Sequence, residues 1–275
     1  MLESALYIVP TPIGNLDDIT LRAIKILKDV DFIAAEDTRH SLKLLNHLEI
    51  SKPLISYHRH NEDIKTNLLI DKLLDGKNIA LISDAGTPVI SDPGEEVVKE
   101  ALKNNINVIP IPGACALINA LIASGLDASE FTFIGFLPLN KKNRKEKLSE
   151  IQNSKNTTIL YEAPHKLLST LQDLSKILDN RKIVLAKELT KIHETFISGT
   201  AGELLNTLEN PKGEFVIMIE KSQEKFDENS YLNSLSLEEH FEFYQAQGFS
   251  KNEIIKKIAK DKNVNKNEIY QHFIN

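Results

Sequence analysis

The sequence predicts an α/β protein of two α/β domains followed by a small helical domain. Three observations predict it. Short apolar runs rich in β-branched residues alternate with segments of helical period through the first 113 residues. The alternation resumes after a proline- and glycine-marked junction and continues to about Glu220. Beyond that point no strand pattern remains, only three short helical segments. A chain of 275 residues with 41% hydrophobic content can fill one large or two medium-sized cores.

In the first domain, residues 1–113, Leu6-Tyr7-Ile8-Val9 reads as a strand and Leu21 to Val30 as a helix. Phe32 to Ala35 and Ile79 to Ile82 repeat the strand pattern, and Leu42 to Leu48 and Glu95 to Leu102 the helical one. Such a βα repeat builds a largely parallel sheet. Continuously apolar strands such as Ile79 to Ile82 fit a sheet covered on both faces, as crossover helices produce. Ile109-Pro110-Ile111-Pro112-Gly113 is the junction, leading into a small-residue helix from Ala114 to Gly125. The second domain, 114–222, has strands at Phe131 to Phe136, Thr158 to Tyr161, Ile183 to Ala186 and Phe215 to Ile219, with helices between. The tail, 230–275, reads as helices Leu237 to Gln247, Lys251 to Lys260 and Lys266 to Phe273, in a helix-turn-helix-like arrangement. Ser250 with Glu253 forms a capping-box signature at the second of these.

Composition narrows the function. The net charge of −6 is the opposite of a protein held to nucleic acid by bulk positive potential, so any such contact is local. Two stretches offer phosphate-contacting surfaces. One is Lys141-Lys142-Asn143-Arg144-Lys145; the other is the tail from Ser250, with six lysines (251, 256, 257, 260, 262, 266) against Glu253, Asp261 and Glu268. The single cysteine, Cys115, excludes an internal disulfide and a zinc site, and reads as a small buried side chain beside Pro112 and Gly113, with a nucleophilic thiol as the alternative. The start lacks a secretory pattern and no segment has membrane-spanning apolar length, so a cytoplasmic protein without membrane attachment is expected. The stretch after the first strand, Thr11 to Ala23, has one glycine where a dinucleotide fingerprint needs three, and no Walker lysine follows it. Nicotinamide and P-loop chemistry are thereby unsupported.

The most informative motif is Ser83-Asp84-Ala85-Gly86-Thr87-Pro88-Val89-Ile90-Ser91-Asp92-Pro93-Gly94, which follows an apolar strand and opens a helix. In an open α/β sheet, ligands bind outside the carboxyl ends of the strands. Ala85 and Gly86 admit close backbone approach, the prolines stiffen the loop, and Asp84 and Asp92 bring two carboxylates to one place. With no further ligands at metal spacing, no metal is expected; the carboxylates suit a ligand with hydroxyls or a positive centre. A second cluster, Ala35-Glu36-Asp37-Thr38-Arg39-His40, also follows a strand. There Thr38 is the expected N-cap, Glu36 and Asp37 complement the helix dipole, and Arg39 suits bidentate phosphate contact. A third, Leu160-Tyr161-Glu162-Ala163-Pro164-His165, and a fourth, Ala186 to Glu194, place Glu162, His165, Lys187, Glu188 and Lys191 at one sheet edge. A histidine near its reference pKa of about 6.5 or a lysine with a lowered one can accept a proton, and this edge offers such candidates.

Taken together, SDAGTPVISDPG, AEDTR, YEAPH and the opening PTPIGNLDDITLRA resemble a family of small-subunit ribosomal RNA cytidine-2'-O-methyltransferases within the tetrapyrrole methylase superfamily. The resemblance covers nearly all of residues 5 to 220, and the tail resembles that family's C-terminal helical domain. It implies a class III methyltransferase, usually homodimeric, that binds S-adenosylmethionine in a cleft between its α/β halves and acts on 16S rRNA, with the assembled 30S subunit as the expected substrate. On matching positions, the implied cofactor contacts are Ser83, Asp84, Ala85, Gly86, Thr87 and Pro88, then Ala114, Cys115, Ala116 and Leu117, then Tyr161, and Gly213 in the Lys212-Gly213-Glu214 turn. The candidate catalytic and RNA-facing residues are Glu36, Arg39, Glu162, His165 and Lys187. The competing readings are a small-molecule, tetrapyrrole-type methylase and a nucleic-acid-binding regulator built around the tail.

Overall fold

The computed structural model describes residues 4–178, 180–222, 232 and 235–273. The chain forms two compact units, Met1–Lys221 and Ser222–Asn275.

The first unit holds two five-stranded sheets. Strands β1 (Ala5–Ile8), β2 (Phe32–Ala35), β3 (Leu54–Ser56), β4 (Ile79–Ile82) and β5 (Asn107–Pro110) lie in the order β3-β2-β4-β1-β5 and are parallel throughout. Their crossovers carry helices α1 (Leu21–Asp29), α2 (Thr38–His47), α3 (Glu62–Leu74) and α4 (Glu95–Lys103). Both faces are covered, as the apolar strands required. Ala5, Tyr7, Ala80 and Ile82 pack with Ile26 and Leu27 of α1. Their alternates Leu6, Ile8, Ile79 and Leu81 pack with Leu69 and Leu73 of α3 and Val97 of α4.

Three details differ from the sequence reading. The second helix starts earlier than Leu42, at Thr38, and Asp37 rather than Thr38 is its N-cap: the Asp37 carboxylate accepts the Arg39 amide. The stretch from Ile109 is not simply a junction, because Ile109 and Pro110 close β5. Proline is tolerated there since β5 is an edge strand. The three-residue β3 and the helix α3 had no marked pattern in the sequence reading.

The second sheet comprises β6 (Phe131–Phe136), β7 (Thr157–Glu162), β8 (Ile183–Lys187), β9 (Thr195–Gly199) and β10 (Phe215–Ile219), ordered β6-β7-β10-β8-β9. Only β6 and β7 pair in parallel; β10 runs antiparallel to both β7 and β8. Helix α5 (Ala116–Ser124) begins two residues later than Ala114 and packs on one face with Ile159, Val184, Val216 and Met218. On the other face lie α6 (Lys141–Gln152), α7 (Pro164–Ser175) and α8 (Ala201–Thr207), around Leu160, Leu185 and Ile217.

The second unit has helices α9 (Leu237–Ala246), α10 (Lys251–Asp261) and α11 (Lys266–His272) around Tyr244, Ile254, Ile255, Ile258 and Ile269. The capping box of Ser250 and Glu253 is formed, and Ser236 with Glu239 makes another. Among the described residues, no helix is long and apolar enough to cross a membrane.

Candidate functional site

A cavity of about 550 Å³ opens in the first unit, and both sheets supply its wall. This volume suits a small-molecule ligand. From the parallel sheet come Glu36 after β2 and the loop after β4, with Asp84, Ala85, Gly86 and Thr87 followed by Ile90, Ser91 and Asp92. From the mixed sheet come Phe136 at the end of β6, Tyr161 to Pro164 at the end of β7, Ala186 and Leu189 near the end of β8, and Glu214, Phe215 and Val216 where β10 begins. Because β10 runs opposite to its neighbours, its start lies beside their carboxyl ends. Ile13, Cys115 and Ala116 complete the wall.

The loop after β4 is fixed before any ligand arrives. Thr11 and Gly86 exchange backbone hydrogen bonds at 2.9 and 3.0 Å, the Thr11 hydroxyl donates to the Ser83 carbonyl at 3.1 Å, and the Thr87 hydroxyl donates to the Ala114 carbonyl at 2.9 Å. Val89 and Ser91 have positive φ, 76° and 67°, which is costly for any side chain and especially for a β-branched one. Gly94, at φ 135°, opens α4; a Cβ there would lie 2.7 Å from Leu81 Cδ2 and 2.9 Å from Val89 Cγ2, so glycine is required.

Three of the carboxyls that line this cavity come from the parallel sheet. Asp84 accepts the Asp37 amide at 3.0 Å, tying the loop to the start of α2. Burial pushes the Asp92 carboxyl up to about 7, with Glu36 and Asp84 adding to the rise and Arg59 opposing it. Glu36 is raised by burial and then by Asp84, again against Arg59. The Arg59 guanidinium donates to the Ser91 carbonyl, which holds this cation beside the acids.

Opposite stands an aromatic wall. The Tyr161 hydroxyl accepts the Leu117 amide at 3.1 Å, and its ring meets the rings of Phe133 and Phe136 at 4.9 and 5.8 Å. Glu162 is 5% exposed and fully engaged: it accepts from the Ala163 amide at 2.9 Å and the Thr170 hydroxyl at 2.6 Å. Thr170 in turn accepts from Arg144, whose other arm bonds Asp173. Arg144 thus braces α6 against α7 and is not part of an open phosphate surface, unlike the exposed Lys141, Lys142 and Lys145 beside it.

Of the sequence-derived cofactor residues, Asp84, Ala85, Gly86, Thr87, Cys115, Ala116 and Tyr161 line the cavity. Ser83, Pro88, Ala114, Leu117 and Gly213 are outside its wall. Ser83 is buried with its hydroxyl donating to the Gly86 carbonyl, and Leu117 serves through its amide. Gly213, at φ 91°, lies against Glu188, while its neighbour Glu214 reaches the wall. Of the catalytic candidates, Glu36 and Glu162 line the cavity. Arg39 and His165 are exposed, Lys187 is half-buried, and none of the three belongs to the wall. Arg39 chelates Asp37 at 2.9 and 3.2 Å. Glu188 and Lys191 pair with each other, and Lys191 also with Glu214. Cys115 is half-buried: it packs against the core beneath α5 and also lines the cavity. Sequence reasoning set Asp92 beside Asp84 as a carboxylate for a hydroxyl-bearing or cationic ligand but did not count it among the site residues, and it did not single out Ile13, Ile90, Phe136, Leu189 or the start of β10 as site residues; only the strand-end position of Phe136 could have signalled it. Among the described residues, no group of His, Cys, Asp and Glu is arranged to hold a metal ion.

Residues 5–205 match the model of the family described as Tetrapyrrole (Corrin/Porphyrin) Methylases, which stops short of the helical unit. The ribosomal RNA small subunit methyltransferase I of Halalkalibacterium halodurans is 50% identical over 271 residues, spanning 98% of this chain and 94% of that protein. The protein of the same name from Bacillus subtilis is 47% identical over 272 residues, spanning 98% and 93%. Among solved structures, diphthine synthase superposes with a TM-score of 0.61 at 15% identity over 79% of this chain and 90% of that one. Cobalt precorrin-4 methyltransferase does so with a TM-score of 0.59 at 17% identity, over 79% and 95%. These two likenesses show the fold, two α/β halves as the sequence implied.

Proposed function

The chain belongs to the tetrapyrrole (corrin/porphyrin) methylase family, together with the ribosomal RNA small subunit methyltransferases I, and from that premise we propose that it transfers the methyl group of S-adenosylmethionine to a cytidine 2'-hydroxyl in 16S rRNA. The observation that carries this reading is the cavity wall, where the carboxyls of Glu36, Asp84 and Asp92 from the parallel sheet face a largely apolar and aromatic surface from the mixed sheet, with Glu162 and Glu214 at its strand ends.

That donor set fits S-adenosylmethionine. Its adenine suits the apolar side formed by Ile13, Tyr161, Leu189 and Val216, and its ribose hydroxyls and cationic centres suit Asp84 and its neighbours. Ala85, Gly86, Thr87, Cys115 and Ala116 would border it, with Ser83, Pro88, Ala114, Leu117 and Gly213 supporting from behind. When bound, the cofactor supplies an electrophilic methyl that already carries its leaving group. The protein's own residues must orient the hydroxyl, exclude water and receive one proton. Asp92, with its affinity near neutrality and Glu36 beside it, is the acceptor best matched to that task. Glu162 positions the loop before α7, and Arg39, His165 and Lys187 serve on the RNA side of the site.

RNA is favoured over a small-molecule acceptor by the rim. Phe136 is 54% exposed at the cavity, and the strand it ends leads into the exposed lysines 141, 142 and 145. An exposed aromatic followed by cations is how single-stranded nucleotides are stacked and held. We further assign the substrate as the assembled 30S particle in the cytoplasm, the active form as a homodimer, and the domain limits as 1–113, 114–222 and 230–275.

The test is incubation with tritium-labelled S-adenosylmethionine and 30S subunits from cells lacking this enzyme. One labelled, alkali-resistant linkage in 16S rRNA is the expected result. Cofactor binding without label in RNA would instead assign a small-molecule methylase.

A further inference from the structure

The helical unit lies beyond the segment that matches the methylase family, and the cavity chemistry leaves its charges unused. Its acids are largely spent internally. Glu253 accepts from the Ser250 amide at 2.9 Å and from the Ser250 hydroxyl. Asp261, on the buried side of α10, accepts from the Tyr244 hydroxyl at 2.7 Å and lies 3.2 Å from His240 Nε2. Several lysines are also occupied: Lys251 donates to the Phe273 carbonyl, Lys262 to the Leu235 carbonyl, and Lys257 lies over the rings of Phe249 and Tyr244.

Three lysines remain. Lys256 and Lys260 are exposed one turn apart on α10, opposite the buried Ile254, Ile255 and Ile258, and Lys266 is exposed at the start of α11. Among the described residues, the ion pairs of this unit are His240 with Asp261 and His272 with Glu238, so these lysines belong to none. Tyr270, one turn after Lys266, is 44% exposed, and Asn263, Asn267 and Gln271 are exposed around it. Helix α9 presents the reverse sign, with Glu238, Glu239 and Glu242 exposed. Glu268 is exposed on α11 between Lys266 and Tyr270, so the unpaired cations of this unit are densest on α10, within a chain of net charge −6.

We propose that the α10–α11 face is an RNA-docking surface, on which Lys256, Lys260 and Lys266 contact phosphates and Tyr270 stacks against an unpaired base. It rests on the RNA reading of the cavity. A chain with an acidic mean field can hold a polyanion only through such a local patch. The exposed amides offer hydrogen bonds to base edges. An anionic membrane is a poorer match, because the large apolar side chains exposed here among the described residues are only Val264 and Tyr270.

The experiment uses the full chain. Affinity for a 16S rRNA transcript and for 30S subunits is measured against salt concentration, for the wild type, for Lys256→Gln/Lys260→Gln/Lys266→Gln, and for the corresponding triple arginine variant. Each phosphate contact contributes about 0.7 to 0.9 to the log–log salt slope, so the glutamine triple should flatten it by about 2 and weaken binding about tenfold or more at 0.1 M salt. The arginine triple should retain both, and KM for RNA should rise in the glutamine triple while kcat at saturation holds. An unchanged slope and affinity would overturn the proposal. So would weakened binding to 30S subunits with unchanged binding to the transcript, which would assign the face to a ribosomal protein. If circular dichroism shows that the glutamine triple loses helix, Lys256→Gln and Lys260→Gln singly decide, each with a slope change of about 1 expected and no change overturning. Failure of the cavity reading appears separately, as a wild type that binds RNA with a steep slope yet transfers no methyl to it.

Discussion

The backbone amide of Asp37 donates to the carboxylate of Asp84 at 3.0 Å, so the residue that caps α2 also fixes the orientation of an acid on the cavity wall. One bond joins the loops after two neighbouring strands, β2 and β4. Asp84→Ala should therefore weaken S-adenosylmethionine binding tenfold or more, corresponding to about 1.4 kcal/mol. Isothermal calorimetry checks it, and equal affinity for variant and wild type would contradict the assignment.

Arg39 gives the contrasting case. Its pairing with Asp37 is highly exposed, 89% for the arginine side chain, and such pairs contribute little to stability. Arg39→Ala should leave cofactor affinity unchanged and lower methyl transfer to RNA about tenfold, the loss of one charge-assisted phosphate contact. Parallel losses in both measurements would place Arg39 in the cofactor site instead.

Asp92 sets the pH dependence. Its carboxyl is raised to about 7, so the proton-accepting form accumulates as pH rises through neutrality and the rate should climb between pH 6 and 8. Asp92→Asn should flatten that profile and reduce the rate by about a hundredfold. The stability effect has the opposite sense. A carboxyl whose folded pKa is raised stabilises the fold fully at acid pH, below its ordinary range, and this contribution is lost as pH rises through about 7. The melting temperature of Asp92→Asn should thus exceed that of the wild type by a margin that grows as pH rises from about 4 to about 7 and levels off above that; a gap that does not vary with pH would refute the assignment.

Gly94→Ala tests the loop's fixed shape. A left-handed backbone plus a Cβ 2.7 Å from Leu81 Cδ2 should cost about 1 to 3 kcal/mol, read as a lower denaturant midpoint.

Cys115 is a reporter for the cavity. Half-buried on its wall, the thiol should react slowly with a maleimide, and saturating S-adenosylhomocysteine should protect it. Mass spectrometry of the labelled peptide distinguishes protection from indifference.

The parallel sheet was legible because burial on both faces leaves unbroken apolar runs; Phe32–Ala35 and Ile79–Ile82 have the bounds that the sequence reading gave them. Strand β3 was not, since three half-buried residues carry too little pattern. Asp84 and Tyr161 were legible as residues at strand ends. Asp92's proton affinity was not, because it depends on Glu36, Asp84 and Arg59 arriving from other loops. His165 and Lys187 show the converse: position in sequence places a residue at the right edge, while its side chain is absent from the cavity wall.

The last strand of the mixed sheet, β10, lies between β7 and β8, and its first residues form part of the cavity wall. During synthesis, every earlier strand of that sheet emerges before the one that joins its halves. The parallel pair β6-β7 and the antiparallel pair β8-β9 can form early, but the two parts meet only through Phe215–Ile219. A nascent chain halted before that point has neither a closed sheet nor a complete site. The enzyme therefore gains its activity only after most of its chain has left the kind of particle on which it is proposed to act.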